Sequence, residues 1–303
     1  MSLNASFQTV KVDGKEFIVK RDDLLEFPAS GNKAFKLYFL TEILQNPHPY
    51  KKLVSYGGYQ SNYMLALACI ARYYQLDFDY HVLTLPEHVK DQPTGSLKRA
   101  LATGMHLVEH KEKCTKAYLV KHYQNKGDLE TSLILEQGGF QQEAEKGLKL
   151  CARQIEDYLE RKKISKASIV IASGTGVSAY YLQKHLPSHY GVYTVACIGD
   201  ADYLKKQFKQ LQDIDEKATE LPVILTLGKK YHFGKCYIEH LKTHQKLLHE
   251  TGINFDLLYD PIAWQALLMH YHSLEKPVIY IHCGGTEGNE SMYRRYRYLN
   301  LVR

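Results

Sequence analysis

Residues 30–37 read Ser-Gly-Asn-Lys-Ala-Phe-Lys-Leu, and the rest of the chain is best understood from this stretch. Gly31 permits a tight turn beside a ligand, and we expect Asn32 to cap the start of a helix. Lys33 would then lie in the first helical turn, where the positive end of the helix favours a neutral amine. Such an amine can attack a carbonyl and suits a Schiff base; the other interpretation is a solvated lysine early in an amphipathic helix.

Length and composition are those of a soluble globular protein. The chain has 303 residues, of which 45% are hydrophobic and 24% charged. That is enough for two α/β domains or one large unit. The net charge of +6 is spread along the chain. Its densest basic run, residues 161–166, lies between a helical and a strand pattern, so it predicts a solvated connection and no nucleic-acid partner.

The cysteines and the lack of long apolar runs indicate in which cellular compartment the protein is expected. The six cysteines form no Cys-x-x-Cys pair, and no histidine cluster accompanies them at zinc spacing. They are typical of reduced thiols, which predicts a cytoplasmic protein without a metal site. No segment contains eighteen consecutive apolar residues, so we expect no membrane partner.

The order of strands and helices predicts parallel sheets. A hairpin is expected over 6–20 and one continuous helix over 33–45. After that, strands alternate with helices, and four of the strands lead into glycine turns, at 57–58, 138–139, 174–176 and 284–285. In open α/β sheets ligands bind beyond the C-terminal ends of such strands. The four turns and the lysine turn therefore predict one ligand site.

The turn at residues 173–178 is the best phosphate candidate. Ser173, Thr175 and Ser178 supply hydroxyls, and the N–H groups of such a turn form an anion nest. The segment lacks the lysine of a P-loop.

The same segment also matches a dinucleotide-binding pattern. Gly174, Gly176 and Ala179 fit G-x-G-x-x-A, and Asp200 and Asp202 follow where a dinucleotide site keeps its ribose carboxylate. A nicotinamide-dependent oxidoreductase is therefore an alternative, but it gives no role to Lys33 or to residues 57–62.

Several motifs together resemble one family. In the same order along the chain, from about residue 18 to about residue 292, they are similar to the 1-aminocyclopropane-1-carboxylate deaminase and D-cysteine desulfhydrase family, pyridoxal-phosphate enzymes of the tryptophan-synthase β type. The motifs are Lys20-Arg21-Asp22-Asp23, Gly31-Asn32-Lys33-x-x-Lys36-Leu37, Gly57-Gly58-Tyr59-Gln60-Ser61-Asn62, and the turns at 174–178 and 284–286.

The resemblance implies roles for individual residues. Lys33 would carry pyridoxal 5'-phosphate as a Schiff base, and Asn62 would bond the 3-oxygen of its ring. Ser61 would lie beside the substrate carboxylate as an acid or base. Thr286 is a candidate partner of the ring nitrogen. The remaining implied contacts are Tyr59, Gln60 and Asn62 for the substrate, and Gly174, Thr175, Gly176, Val177 and Ser178 for the phosphate.

The resemblance also implies an architecture. The fold would be α/β, with two open, twisted, mostly parallel sheets, helices on both faces and the cofactor in the cleft between two domains. The large domain would comprise residues 1–45 and 155–303, and a small mobile domain residues 46–154. The protein would be a homodimer that acts on a small amino acid.

Two positions depart from the family's pattern. Phe35 replaces an arginine, which we expect to affect only the surroundings of the helix. After Asp260-Pro261 the deaminases place a tyrosine and a glutamate, where this chain has Ala263 and Trp264. Trp264 either packs in the core or donates its indole N–H to the ring nitrogen. A second family tyrosine, before a glycine, would correspond to Phe233.

These departures favour one reaction over another. D-cysteine has an α-hydrogen and a sulfur leaving group, so a single amine base suffices for its elimination. Aminocyclopropane carboxylate lacks the α-hydrogen and needs further polar groups. The sequence thus predicts a D-cysteine desulfhydrase that releases pyruvate, ammonia and sulfide. The alternatives are the cyclopropane deaminase, the nicotinamide enzyme, and a binding protein without turnover.

Overall fold

The structure is a computed structural model that describes residues 3–25, 31–215 and 220–302. Ser30, the first residue of the lysine stretch, lies outside them. The strands are β1 (Ser6–Val12), β2 (Lys15–Arg21), β3 (Lys52–Tyr56), β4 (Asp77–Leu83), β5 (His106–His110), β6 (Ser132–Ile134), β7 (Ala167–Ser173), β8 (Tyr190–Ala196), β9 (Val223–Leu225) and β10 (Val278–His282).

The helices connect and cover these strands. They are α1 (Asn32–Lys36), α2 (Tyr38–Gln45), α3 (Asn62–Tyr73), α4 (Glu87–Asp91), α5 (Gly95–Ala102), α6 (Lys116–Lys126), α7 (Ala144–Arg161), α8 (Val177–His185), α9 (Ala201–Asp215), α10 (Ile238–Thr251), α11 (Asp260–His270) and α12 (Gly288–Tyr298).

The strands form two sheets, as the sequence predicted. The larger sheet has the order β1-β2-β10-β7-β8-β9, and the smaller one has the order β5-β4-β3-β6. Every pairing is parallel except that of β1 with β2, the predicted hairpin. Asp13 and Gly14 form its turn with φ of 52° and 70°, the left-handed conformations that such turns require.

Both faces of the larger sheet are buried. Along β7, Ile169 and Ile171 point into a core shared with α7 and α8, whereas Val170 and Ala172 point into a second core shared with α11. A parallel strand covered on both faces must be apolar throughout, and all seven residues of β7 are buried. The sheet can therefore hold the loops at its C-terminal edge in fixed positions.

The structure differs from the predicted helix over 33–45. The segment is two helices, α1 and α2, separated at Leu37 with φ of −102° and ψ of 5°. Gly31 rather than Asn32 is the N-cap, and Asn32 is the first helical residue. The break lets Phe35 and Leu37 both point into the core, which one straight helix would not allow for residues two apart.

The order of elements between residues 104 and 128 was not predicted. Strand β5 has the sequence His-Leu-Val-Glu-His and lies at the edge of the smaller sheet, so little of it is apolar. Helix α6 buries only Leu119 and Tyr123 fully, which leaves a weak periodic signal. Within the described ranges, no helix is both long and apolar enough to cross a bilayer.

Candidate active site

The lysine turn is clamped between two strand ends of the larger sheet. Gly31 has φ of 73°, and a Cβ atom there would lie 2.1 Å from the carbonyl oxygen of Cys283. Its N–H donates to the Asp22 carbonyl (3.1 Å), and the N–H of Asn32 donates to the Cys283 carbonyl (3.0 Å). Only glycine fits such a position. The turn is therefore fixed against the ends of β2 and β10.

Lys33 is held in an environment that favours its neutral form. Its Nζ donates to Asn32 Oδ1 at 2.6 Å, and the side chain remains partly accessible. Burial lowers the pKa of Lys33 below its ordinary value, although Cys283 and Asp256 act in the opposite direction. A neutral amine that is still accessible can act as a nucleophile.

The turn at 174–178 lies next to the lysine turn. Asn32 Nδ2 is 3.4 Å from Ser178 Oγ, to which it donates. Gly176, at φ of 77°, is the N-cap of α8, and a Cβ atom there would lie 2.7 Å from the ring of Phe208. Val177 is buried behind it. The N–H groups at the start of a helix of nine residues suit an anion, and the phosphate site at this turn stays a prediction.

The hydroxyl of Ser173 does not belong to this turn. Its Oγ accepts a hydrogen bond from Thr194 Oγ1 at 2.7 Å, and Ser173 is buried in the sheet. The prediction that it contributes to a phosphate site was wrong, because the residue is the last of β7 and faces the neighbouring strand.

Lys36 contacts Gly138, which borders the predicted phosphate turn. Its Nζ donates to the Gly138 carbonyl (3.3 Å). A Cβ atom on Gly138 would lie 3.3 Å from Thr175 Cγ2. Burial, helped by the nearby Lys33, lowers the pKa of Lys36 to about 7. Lys36 is part of the lysine motif, but no role was predicted for it. An anion bound at this turn would favour its charged form.

The turn at residues 57–62 begins α3 and faces the same region. Ser61 is the N-cap of α3, and its Oγ accepts from the N–H groups of Tyr63 (3.2 Å) and Met64 (3.3 Å). The predicted acid or base is therefore engaged as a cap. Tyr59 is half-buried against the core.

Gln60 and Asn62 link this turn to α5. Gln60 Nε2 donates to the Thr94 carbonyl (3.1 Å), while its Oε1 is buried without a hydrogen-bond partner among the described residues. Asn62 Oδ1 accepts from Ser96 Oγ (3.1 Å). Gln60 thus keeps an unused acceptor in the region of the candidate site.

The loop after β10 connects the parts of the site. A Cβ atom on Gly285 would lie 2.1 Å from Asn62 Nδ2, and one on Gly284 would lie 2.8 Å from Gly31 Cα. The loop therefore touches both the lysine turn and the residue predicted to bind the cofactor's 3-oxygen. Thr286 follows in this loop, half-buried, and its carbonyl accepts from the N–H of Asn289 (3.0 Å).

A buried acidic segment that the sequence analysis missed lies in the same region. Asp256 Oδ1 accepts from the N–H groups of Leu258 (2.8 Å) and Tyr259 (2.6 Å), and its Oδ2 is buried with no partner in the described part of the chain. Burial raises the pKa of Asp256 to about 7, although the two backbone donors and Lys33 act against this.

Tyr259 and Asp260 continue this segment. A Cβ atom on Gly174 would lie 3.4 Å from Tyr259 Cε1, so the phenol ring borders the phosphate turn. Asp260 Oδ2 accepts from the Asp256 N–H (2.7 Å), and Oδ1 accepts from the hydroxyl of Tyr280. Burial and the charge of Asp256 raise the pKa of Asp260. A tyrosine and an acid thus stand three and four residues after Asp256.

The pair that the family places after Asp260-Pro261 falls at Ala263 and Trp264 in this chain. Both are fully buried in the core of the larger sheet. The Trp264 ring contacts Phe17 and Tyr280, with centroids 4.9 and 4.7 Å away. Trp264 therefore packs in the core, and its indole Nε1 is buried without a hydrogen-bond partner among the described residues. Its contact with the ring nitrogen stays a prediction.

Phe233 is close to the same segment, as the sequence analysis considered. Its ring centroid lies 5.1 Å from that of Tyr259, and 42% of its surface is exposed. An aromatic ring therefore covers Tyr259 from the solvent side.

The acids of the dinucleotide alternative are on the surface. Asp200 pairs with Lys230 (2.9 Å) and accepts from the Tyr203 N–H (3.0 Å), while Asp202 pairs with Lys205 (3.2 Å). Half of the Asp200 side chain and 83% of that of Asp202 are exposed. Capping and solvation of α9 account for both acids.

The residues present fit pyridoxal phosphate. The site has an accessible amine with a lowered pKa, a nest of N–H groups beside Lys36, and the unpaired Asp256 Oδ2 and Gln60 Oε1 as buried acceptors. An aldehyde, an anionic group and a ring with polar substituents can each find a partner there.

Comparison with known proteins agrees with the motifs. No protein-family profile matches the chain. A putative 1-aminocyclopropane-1-carboxylate deaminase of Thermotoga maritima is 26% identical over an alignment of 297 positions that covers 93% of this chain and 92% of that protein. A D-cysteine desulfhydrase of Serratia proteamaculans is 27% identical over an alignment of 300 positions that covers 90% of this chain and 87% of the relative.

A bifunctional relative and a solved structure complete the comparison. The bifunctional D-cysteine desulfhydrase/1-aminocyclopropane-1-carboxylate deaminase of Arabidopsis thaliana is 25% identical, with 91% of this chain and 74% of the relative covered. The crystal structure of an ACC deaminase homologue superposes with a TM-score of 0.79 at 19% identity and covers 99% of this chain and 95% of the other. The chain is thus similar over nearly its whole length to the 1-aminocyclopropane-1-carboxylate deaminase and D-cysteine desulfhydrase family, as its motifs predicted.

Proposed function

We propose that the chain is a pyridoxal-phosphate-dependent lyase or deaminase of a small amino acid, with D-cysteine as the first substrate. The observation that carries the proposal is Lys33, an accessible amine with a lowered pKa, next to the nest of N–H groups at 174–178. The family resemblance supports an enzyme of this type. When bound, the cofactor condenses with amines and withdraws electrons from the substrate's α-carbon.

The residues around Lys33 suggest how the protein contributes. In its neutral form, the Lys33 amine can accept the α-proton of the substrate. Lys36 and the N–H groups of 176–178 would hold the phosphate, and Asn62 the 3-oxygen. Thr286 remains the candidate to face the ring nitrogen, since both carboxylate oxygens of Asp260 already accept hydrogen bonds. Tyr59, Gln60 and Ser61 remain the predicted substrate contacts.

Cyclopropane opening is the second candidate. The preference for D-cysteine came from the absence of a tyrosine and an acid at positions 263 and 264. The bifunctional Arabidopsis relative carries both activities in its name. A cytoplasmic location, the domain division at residues 46 and 154, and a homodimer stay predictions.

A substrate panel tests the proposal. Protein loaded with pyridoxal 5'-phosphate is incubated with D-cysteine, L-cysteine, other D- and L-amino acids and 1-aminocyclopropane-1-carboxylate, and 2-oxo acid, ammonia and sulfide are measured. We expect 2-oxo acid and ammonia from at least one substrate, and loss of turnover in Lys33→Ala but not in the exposed-lysine control Lys242→Ala. Coloured protein that turns over no member of the panel would favour the binding-protein alternative.

A further inference from the structure

A second cluster of reactive side chains lies at the edge of the smaller sheet. It consists of His81 in β4, His110 at the end of β5, and Cys114 in the connection to α6. One ligand atom of each lies within 4.8 Å of the others. His81 is buried, while His110 and Cys114 are half-buried, so solvent reaches the cluster. Sequence spacing could not reveal it, because His81 comes from another strand.

The hydrogen bonds around His81 fix which of its two ring nitrogens carries the proton. Lys52 pairs with Asp79 at 2.8 Å. Tyr123 donates its O–H to Asp79 Oδ2 (2.7 Å). The Tyr123 oxygen, 3.1 Å from His81 Nε2, must then accept a hydrogen bond from the N–H of that nitrogen.

The other nitrogen, Nδ1, therefore carries a lone pair. It lies 2.7 Å from His110 Nε2. A metal-ligating histidine usually donates its other ring N–H to an acceptor that fixes its tautomer. Here the acceptor is the Tyr123 hydroxyl, which Asp79 holds in place. The lone pair of His81 Nδ1 therefore accepts a hydrogen bond from His110 Nε2–H, and an ion bound here would take the place of that proton.

A third histidine borders the cluster. The His122 ring lies 6.0 Å from that of His81. Its Nε2 is buried and, among the residues described, has no hydrogen-bond partner. A buried nitrogen without a partner calls for an explanation, which a ligand bound in this cluster would supply.

We propose that His81, His110 and Cys114 form a binding site for one borderline-soft divalent cation, of which zinc is the best representative. Imidazole nitrogen and thiolate sulfur are both zinc ligands, and a water molecule would complete the tetrahedron. Two nitrogens bound to such an ion lie about 3.3 Å apart, so the rings need to separate by roughly 0.6 Å. Binding displaces the proton of the Cys114 thiol.

An ion bound at this site would stabilise the position of the first residues of the 57–62 turn. The carbonyl of His81 accepts the N–H of Gly57 at 3.0 Å, and Cys114 packs with Tyr56 in the cluster that α6 covers. An ion here would join β4, β5 and the beginning of α6. The proposal does not depend on the proposed function, since no residue of the cluster belongs to the candidate active site.

The experiment uses zinc and cobalt as probes. Chelator-treated full-length protein, without pyridoxal phosphate, is dialysed against zinc, and bound metal is measured by mass spectrometry; cobalt replaces zinc for absorption spectra. The variants are Cys114→Ser and Tyr123→Phe, and the control is Cys236→Ser, another half-buried cysteine far from the cluster. Circular dichroism checks that each variant is folded.

The proposal predicts one zinc per chain and, with cobalt, a near-ultraviolet thiolate charge-transfer band. Both are lost in Cys114→Ser and retained in Cys236→Ser. Tyr123→Phe should weaken zinc binding by about 10- to 100-fold, since the support of His81 is removed. Absence of the band in wild-type protein, or equal binding by the two cysteine variants, would show that His81 and His110 are only a hydrogen-bonded pair.

Discussion

Lys33 and Lys36 are two amines on one short helix, and burial decides the chemistry of both. The pKa of each is lowered, that of Lys36 to about 7. Lys33 has an amide oxygen as its partner, whereas Lys36 donates to Gly138, which borders Thr175. The two amines are therefore suited to different parts of one ligand, an aldehyde and an anion.

Lys36 should make phosphate binding depend on pH. Above pH 7 its amine is neutral in the free protein, so binding of a phosphate dianion must take up a proton. Affinity should fall by up to about tenfold per pH unit between pH 7 and 9. Pyridoxine 5'-phosphate, which cannot form a Schiff base, is titrated calorimetrically. Lys36→Met should weaken binding and flatten this slope, whereas Lys242→Met should change neither; an unchanged slope in Lys36→Met would assign the phosphate to other groups.

At the scale of elements, the closeness of α1 to α7 fixes where Lys33 points. Gly147 lies in the first turn of α7, and a Cβ atom there would be 1.9 Å from the Phe35 carbonyl oxygen and 2.8 Å from Tyr38 Cβ. The glycine lets the backbone of α1 touch α7 directly. The pattern of apolar residues predicted helix α7 but not this contact, because backbone approach leaves no side-chain signal.

Gly147→Ala should therefore destabilise the protein. Helix propensity alone would favour alanine by about 1 kcal/mol, but the overpacking costs about 1–3 kcal/mol. We expect a lower urea midpoint and weaker cofactor binding. Lys149→Ala, on the exposed face of the same helix, should stay within about 0.5 kcal/mol of wild type. A Gly147→Ala protein as stable as wild type would mean that α1 and α7 can separate at no cost.

The sequence predicted the elements with strong periodicity and missed what depends on tertiary contacts. The hairpin, the parallel strands and the glycine turns follow from local patterns. The break at Leu37 was not predicted, because it serves packing of α1 and α2 against different neighbours. The Asp256–Asp260 segment was missed because its acids are buried, which no local pattern reveals. The cluster of His81, His110 and Cys114 requires the pairing of β4 with β5.

At the scale of the whole molecule, the candidate site draws on both sheets. The lysine turn and the phosphate turn follow strands of the larger sheet, and Asn62 and Gly138 follow strands of the smaller one. A ligand that contacts all of them ties the sheets together. The resemblance places the cofactor between two domains, and this arrangement of turns is consistent with it.

Pyridoxal 5'-phosphate should accordingly stabilise the whole protein against heat. At 100 times its dissociation constant, a ligand that binds only the folded state adds about 2.7 kcal/mol. We expect a melting temperature that rises with cofactor concentration, and a smaller rise with pyridoxal, which lacks the phosphate. Differential scanning calorimetry measures both. Equal shifts with the two compounds would exclude the turn at 174–178 as a phosphate site.

The most direct measurement locates the covalent bond itself. Protein incubated with pyridoxal 5'-phosphate is reduced with borohydride and digested, and the modified residue is identified by mass spectrometry. The account predicts a single phosphopyridoxyl group on Lys33 at close to one per chain. A label on Lys36 or another lysine in place of Lys33, or no stoichiometric label, would contradict it.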